Sequence, residues 1–214
     1  MIRLIIFDLD GTLADTSLGI VNSHRYAHRM MGREEPSSDE LRAVIGGPLL
    51  STYRDRFGFS DEEARRALAY YRSWYAEKGI HEAIPYPGVK DLLESLKRKG
   101  FLLSVATLKS ERLAKALLHN MELLSYFDAV HGMDESDSRT KASLIQMCMN
   151  DMQVGRHETV LVGDSVHDLE GAKDVGIAFV GVSYGFGFKN SIQPEGVNIC
   201  DDPYMVQAMI GLAV

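Results

Sequence analysis

The chain has 214 residues and a formal charge of −7, with 45% hydrophobic and 25% charged residues. This is ordinary globular usage, which argues against a disordered or membrane-embedded chain, and the negative balance argues against a nucleic-acid polymer as partner. The two cysteines, Cys148 and Cys200, have no metal-type spacing, Met1 leads into an apolar run without signal-peptide character, and no apolar stretch is long enough to span a bilayer. A cytoplasmic protein with no membrane partner is expected, a monomer by default with a dimer as the alternative.

The length exceeds one typical domain without reaching two, so a core carrying a large insert is the first expectation. Leu4-Ile5-Ile6-Phe7 is a continuous apolar run ended by acidic and glycine residues, the pattern of a buried parallel strand. From Thr16 to about Ala83 only helical periods remain. Ile20, Val21, His24, Ala27, His28 and Met31 share one face, and a later helix opens on a Ser60 to Glu63 capping box and continues through Ala64, Leu68, Tyr71 and Tyr75. The chain is expected to leave the core near Ala14 to Thr16 and to return through the stiff segment Pro85-Tyr86-Pro87-Gly88. A helix after Gly88 buries Val89, Leu92, Leu93 and Leu96. Four more strands are expected, at Leu102 to Ala106, Ala129-Val130, Thr159 to Val162 and Ile177 to Val180, with a helix over 140–152 that puts Lys141 in its first turn. The predicted fold is α/β: a Rossmann-type parallel sheet core, residues 1–15 and 84–214, with a small all-helical cap, 16–83, inserted after the first strand.

The chemistry starts at Asp8-Leu9-Asp10-Gly11-Thr12-Leu13-Ala14-Asp15, where the first strand ends and open parallel sheets bind their ligands. Two carboxylates spaced i, i+2 in a tight glycine loop can divide labour, one attacking an electrophile and the other exchanging a proton with an entering or leaving oxygen. A second acidic loop, Gly163-Asp164-Ser165-Val166-His167-Asp168, follows another buried strand.

The segment from Asp8 to Asp15 resembles the first signature of the haloacid dehalogenase superfamily. The other three signatures of that family find matches in order: Thr107 at the end of Val105-Ala106-Thr107, Lys141, and the Asp164 loop. The resemblance covers nearly the whole chain, and it places the insert where the subclass with a small helical cap carries it. It implies a phosphatase in which Asp8 attacks phosphorus, Thr107 donates its hydroxyl to a phosphoryl oxygen, and Lys141 neutralises both Asp8 and the transferring group. Asp10 would protonate the leaving alkoxide and then activate a water against the aspartyl-phosphate, under the shield of the cap. Asp8, Asp10 and Asp164 crowded together would need a cation, and their hard oxygen donors suit Mg²⁺ as the cofactor. Asp168 is expected in the outer shell or orienting Lys141, and His167 on the surface.

Within the family, a metal-independent dehalogenase lacks the second aspartate that Asp10 supplies, and a Schiff-base hydrolase needs a cap lysine, absent from Thr16 to Glu77. A mutase of the β-phosphoglucomutase kind has a cap histidine where this chain has Ile20, with His24 as the nearest substitute. Ile45-Gly46-Gly47-Pro48-Leu49 and Tyr86-Pro87-Gly88-Val89 look most like the phosphoglycolate phosphatase branch. The substrate is therefore expected to be a small phosphorylated metabolite, with nucleoside monophosphates next in order. Gly46, Gly47, Arg42 and Lys109 are the candidates to hold it, and Arg25, Arg54 and Arg56 are further cap arginines to weigh. Ala106-Thr107-Leu108-Lys109-Ser110 stands where the relatives tend to read Ala-Thr-Ser-Lys-Pro, a departure that alters the stiffness of this loop. The reading outside enzymology is a phospho-sensing binding protein that kept the fold.

Overall fold

The computed structural model describes residues 1–136, 138–188 and 196–212, and the chain divides into two compact units, residues 1–15 with 84–214 and residues 16–83. The first unit is built on a six-stranded parallel sheet. Its strands in chain order are β1 (Leu4–Phe7), β4 (Leu102–Ser110), β5 (Ala129–Met133), β6 (Thr159–Gly163), β7 (Ala178–Val182) and β8 (Asn198–Cys200), arranged β5-β4-β1-β6-β7-β8. A separate antiparallel pair, β2 (Ala14–Asp15) and β3 (Ile84–Pro85), joins the two ends of the chain that lead into and out of the second unit.

β1 is buried along its whole length because it sits in mid-sheet with helices over it, which is why its sequence is continuously apolar rather than alternating. The face nearest the site is covered by α7 (Lys141–Met152) and α8 (Val166–Val175). Their Leu144, Ile145, Cys148, Met149, Ala172 and Val175 pack on Leu4, Ile6, Ala106 and Leu161 of the strands. α5 (Val89–Arg98) buries the expected Val89, Leu92, Leu93 and Leu96, and α6 (Glu111–Asn120) and α9 (Pro203–Leu212) complete the helices of this unit among the described residues. The sheet runs further than the sequence suggests. β5 continues through His131 and Gly132 to Met133, β4 through the signature threonine to Ser110, and the sixth strand, β8, has only three residues at the sheet edge. Edge strands are short and lack the two-sided apolar signal, and glycine carries no strand propensity of its own.

The second unit is all-helical among its described residues apart from turns. α1 (Ser17–Met30) packs on α4 (Asp61–Glu77), linked by the short α2 (Ser38–Arg42) and α3 (Leu49–Ser51), a π-helical turn at Thr52–Arg56 and a 3₁₀ turn at Gly79–His81. Ser60 and Glu63 make the expected capping box at the start of α4, and Ser37 with Glu40 make another at α2 that the sequence pattern did not single out. The core of this unit is aromatic: His24 lies 4.8 Å from the Tyr71 ring and 5.3 Å from the Tyr53 ring, with Phe57 closing the cluster.

Candidate active site

Parallel pairing in register brings the signature residues to one sheet edge. Phe7 pairs with Val105 on one side and Val162 on the other, so Asp8 is one residue past that level and Thr107 and Asp164 are two past it. The Asp8 amide donates to the carbonyl of Val162 at 2.9 Å, which carries the ladder one step beyond β1. All three sit at the carboxyl ends of adjacent central strands, where the chain turns from filling one side of the sheet to filling the other.

Lys141 reaches this edge from the first position of α7. Thr140 and Ser143 form a capping box there, which satisfies the helix start and fixes the direction in which the lysine leaves it. The ammonium then has three oxygen partners: Asp8 Oδ1 at 2.6 Å, Asp168 Oδ1 at 2.7 Å and the Ala106 carbonyl at 2.8 Å. It donates hydrogen bonds to Asp8 and to the Ala106 carbonyl and forms an ion pair with Asp168, so its charge is engaged inside the site. Burial pulls its proton affinity down, but Asp168 and Asp8 more than offset this and hold Lys141 above its ordinary value. Gly171 on α8 makes the approach possible, since a Cβ there would lie 2.5 Å from Lys141 Cγ and 2.9 Å from its Cβ. Sequence reasoning did not select Gly171, because only the fold brings the two helices together.

Asp168 accepts from the hydroxyl of Ser165 at 2.6 Å and from its amide at 3.1 Å through Oδ2, while Oδ1 faces Lys141. Asp164 Oδ2 accepts from the amides of Phe186 at 2.6 Å and Gly187 at 3.1 Å, in a loop after β7 that carried no site signal in the sequence. A side chain at Gly185 would collide with Asp164 and with the Gly11 carbonyl, so this loop closes tightly on both acidic motifs. Tyr184 donates from its hydroxyl to the Thr12 carbonyl at 3.1 Å, adding a third tie.

One oxygen each of Asp8, Asp164 and Asp168 lies within 4.8 Å of the others, all three residues being buried. This differs from the expected trio of Asp8, Asp10 and Asp164. The Asp10 carboxylate is turned to Lys109, 3.0 Å from Nζ to Oδ2, so its charge is balanced by a neighbour on β4. Asp168 spends its oxygens on Lys141 and Ser165, which leaves Asp8 and Asp164 as the better cation donors. Burial pushes Asp8 well above the carboxylate range; Lys141 opposes this, and Asp168, Asp164 and Asp10 add to it. Asp164 is pushed up to about 7, by burial first and Asp168 second, against the two amide bonds that favour its charge. Three buried acids around one ammonium hold more negative charge than the protein balances, and the donor set therefore fits a hard divalent cation.

Thr107 is buried, and its Oγ1 accepts from the Lys109 amide at 3.2 Å, so the hydroxyl hydrogen can point elsewhere. Among the described residues Asp10 Oδ1 is buried without a hydrogen-bond partner. Gly46, Gly47 and Arg42 lie in the other unit. Arg42 ends α2 and is exposed, and Gly46 takes φ 84° in the turn before α3. Arg25 donates to Ser38 Oγ at 2.9 Å, Arg54 is engaged with Asp55 at 2.7 Å, and Arg56 is exposed. His167 is exposed on α8. His24 is wholly buried against the Tyr53 hydroxyl at 3.1 Å, and burial, with His28 second, lowers it to about 3. A neutral histidine locked in an aromatic core is no proton donor for a mutase.

A family model described as haloacid dehalogenase-like hydrolase matches residues 5–182. The chain belongs to that family. It is 34% identical to a 5′-nucleotidase of Pseudomonas aeruginosa over 200 residues, which cover 92% of this chain and 90% of the relative. It is 29% identical to a phosphoglycolate phosphatase of Agrobacterium fabrum over 209 residues, covering 93% and 88%. The crystal structure of a protein described as a predicted phosphatase from Clostridium acetobutylicum superposes with a TM-score of 0.93 at 31% identity, covering 99% of each chain. The chain is thus an enzyme of the phosphatase kind. No helix among its described residues is long and apolar enough to cross a membrane.

Proposed function

We propose that this hydrolase cleaves a small phosphate monoester in two displacements through an aspartyl-phosphate on Asp8, with Mg²⁺ as cofactor. The observation that carries the reading is the buried contact of 2.6 Å between Asp8 and Lys141, shared with Asp168, at the carboxyl edge of the central strands. An ammonium so placed opposes the protonation that burial favours at Asp8 and can stabilise charge as it develops on phosphoryl oxygens.

In the first displacement an Asp8 oxygen bonds to phosphorus as the bond to the leaving alkoxide breaks, and Asp10 passes its proton to that alkoxide. Asp10 Oδ1, unpartnered among the described residues, is the oxygen suited to that proton. In the second, Asp10 takes a proton from a water whose oxygen bonds to phosphorus, and the Asp8–phosphorus bond breaks to release orthophosphate. Thr107 and Lys141 hold the phosphoryl oxygens in both steps. Asp8 and Asp164 would hold the Mg²⁺, which supplies charge neutralisation and polarisation of the phosphoryl group when bound. Asp168 positions Lys141.

Phosphoglycolate is the first substrate to test, on the resemblance carried by Ile45 to Leu49 and Tyr86 to Val89 and on the name of the Agrobacterium relative. Nucleoside monophosphates come second, since the Pseudomonas relative is named a 5′-nucleotidase. Two buried, unpaired cysteines fit a reducing cytoplasm.

The test is phosphate release with Mg²⁺ from a panel of phosphoglycolate, sugar phosphates, nucleoside monophosphates and pyrophosphate, with Asp8→Asn as control. Release that vanishes in the variant is expected. A folded wild-type protein that releases phosphate from none of them, or an Asp8→Asn protein that retains activity, overturns the reading.

A further inference from the structure

We infer that Arg139 and Glu111, which touch none of the reacting groups, form a positioning pair that sets Thr107 and Lys141 relative to each other. The inference rests on the phosphatase reading for its kinetic consequence and on the local geometry for its mechanism.

The starting point is an irregularity in the sheet. β4 and β5 pair in register up to Ala106 with His131, and pairing resumes at Ser110 with Met133. Four steps along β4 therefore match two along β5, so two extra residues bulge out between Ala106 and Ser110. Thr107 and Lys109 lie on that bulge. Bulges re-aim side chains, but an unpaired stretch of backbone keeps its aim only if something else holds it.

Here the bulge is held at its base. Gly132 of β5 lies so close that an added Cβ would come within 2.5 Å of the Lys109 carbonyl oxygen and 2.7 Å of the Glu111 amide nitrogen. Over this contact sits the Arg139 guanidinium. One nitrogen, Nη1, donates both to Glu111 Oε2 at 3.0 Å and to the Gly132 carbonyl at 2.7 Å. Glu111 is anchored in turn by Lys115 at 2.6 Å, one helical turn further along α6. Arg139 thus ties the end of the bulge to β5, and it stands two residues before Lys141.

The consequence is geometric. Thr107 lies four residues before Glu111 and Lys141 two after Arg139, so a single guanidinium joins the backbone segments that carry both. The Ala106 carbonyl, at the mouth of the bulge, is itself a hydrogen-bond acceptor for Lys141 Nζ at 2.8 Å. A shift of the bulge therefore moves Thr107 and the lysine's third acceptor together. Both side chains of the Arg139–Glu111 pair are 29% exposed, so water screens the pair only in part. Glu111 and Arg139 gave no signal in the sequence because each is an ordinary charged residue on a helix or in a loop.

The experiment compares Arg139→Ala, Arg139→Lys and Glu111→Gln with wild type in three measurements: kcat and KM on an aryl phosphate, affinity for orthovanadate by calorimetry, and the midpoint of urea unfolding. Orthovanadate mimics the five-coordinate phosphorus and needs no turnover. For Arg139→Ala, kcat and vanadate affinity should fall together by about 10- to 100-fold, the size expected for small misplacement of catalytic groups, with KM changed far less. Arg139→Lys should recover most of the loss, since one nitrogen makes both bonds. Glu111→Gln combined with Arg139→Ala should cost little beyond Arg139→Ala alone. Lys97→Ala, which breaks an ion pair between α5 and Asp128 just before β5, serves as the control and should leave kcat at wild type. A lowered urea midpoint with kcat and vanadate affinity intact would show a merely structural bridge and overturn the inference. Wild type that binds vanadate yet releases no phosphate would instead sink the phosphatase reading, while the vanadate ratio still decides on Arg139. Wild type that neither binds vanadate nor releases phosphate overturns both.

Discussion

The ammonium of Lys141 and Oδ1 of Asp8 lie 2.6 Å apart, though 133 residues separate them along the chain. The contact is made where a helix start meets the end of the central strand, and each charge offsets part of the other's burial, with Asp168 a further partner of the lysine. Lys141→Met should lower kcat by at least about 100-fold, the scale for loss of one preorganised charge donor. It should also lower the unfolding free energy of the metal-free protein by about 3 kcal/mol, because Asp8 and Asp168 are left uncompensated. Steady-state kinetics and urea titration read the two effects separately. Unchanged kcat would remove Lys141 from the mechanism.

Gly171 offers a test in which stability and activity part company. An alanine inside a helix is normally favoured over glycine by about 1 kcal/mol. Here its Cβ would press on the stem of Lys141 at 2.5 Å from Cγ, so the gain in helix propensity is set against displacement of the ammonium. Gly171→Ala should keep the fold and lose about tenfold or more in kcat. Activity at the wild-type level would mean that the lysine stem can yield without moving its head.

Much of this arrangement was legible in the sequence, and what was not has a common cause. Asp8 and Asp164 follow apolar runs, and strand ends of a parallel sheet are where ligands bind, so local pattern located their loops, whereas Thr107 was singled out by the family resemblance. The register Phe7 with Val105 and Val162 then assembles them. The Asp10 to Lys109 pairing, the Phe186 and Gly187 amides on Asp164, and the Arg139 bridge all depend on contacts between segments far apart in the chain. Periodicity carries no information about such contacts. The strands β5 and β4 were read too short for a related reason: the bulge and Gly132 break the apolar run where the site is built.

The crowding of carboxylates predicts how a cation acts on stability. Mg²⁺ binds the folded state and not the unfolded chain, so it should raise the urea midpoint, with a gain of about 2.7 kcal/mol at 100 times the dissociation constant. EDTA should reverse it. Asp164→Asn should abolish the Mg²⁺ response while leaving the metal-free protein no less stable, since it removes one of the mutually repelling buried acids. Calorimetric scans with and without Mg²⁺ decide this, and an Asp164→Asn protein that still shifts would place the cation elsewhere.

The helical unit carries its own titration. Burial, and the neighbouring His28 after it, lower His24 to about 3 from an ordinary value near 6.5. The unfolded chain therefore takes up a proton at a pH where the folded unit cannot. Stability is at its full value above about pH 6.5 and falls as the pH drops from there toward 3, the reverse of a histidine that gains an acidic partner. Near pH 5 the loss from this one group is about 2 kcal/mol, one and a half pH units at about 1.4 kcal/mol each. His28, also lowered and also buried in the aromatic cluster, adds to the slope in the same direction. The single tryptophan, Trp74, lies on α4 in this unit, so its fluorescence during urea unfolding reports the unit directly. His24→Gln can keep a hydrogen bond to the Tyr53 hydroxyl but has nothing to titrate, and it should flatten the fall between pH 6.5 and 5 while costing some stability at neutral pH. A slope as steep in the variant as in wild type would mean that the acid sensitivity of this unit arises from groups other than His24.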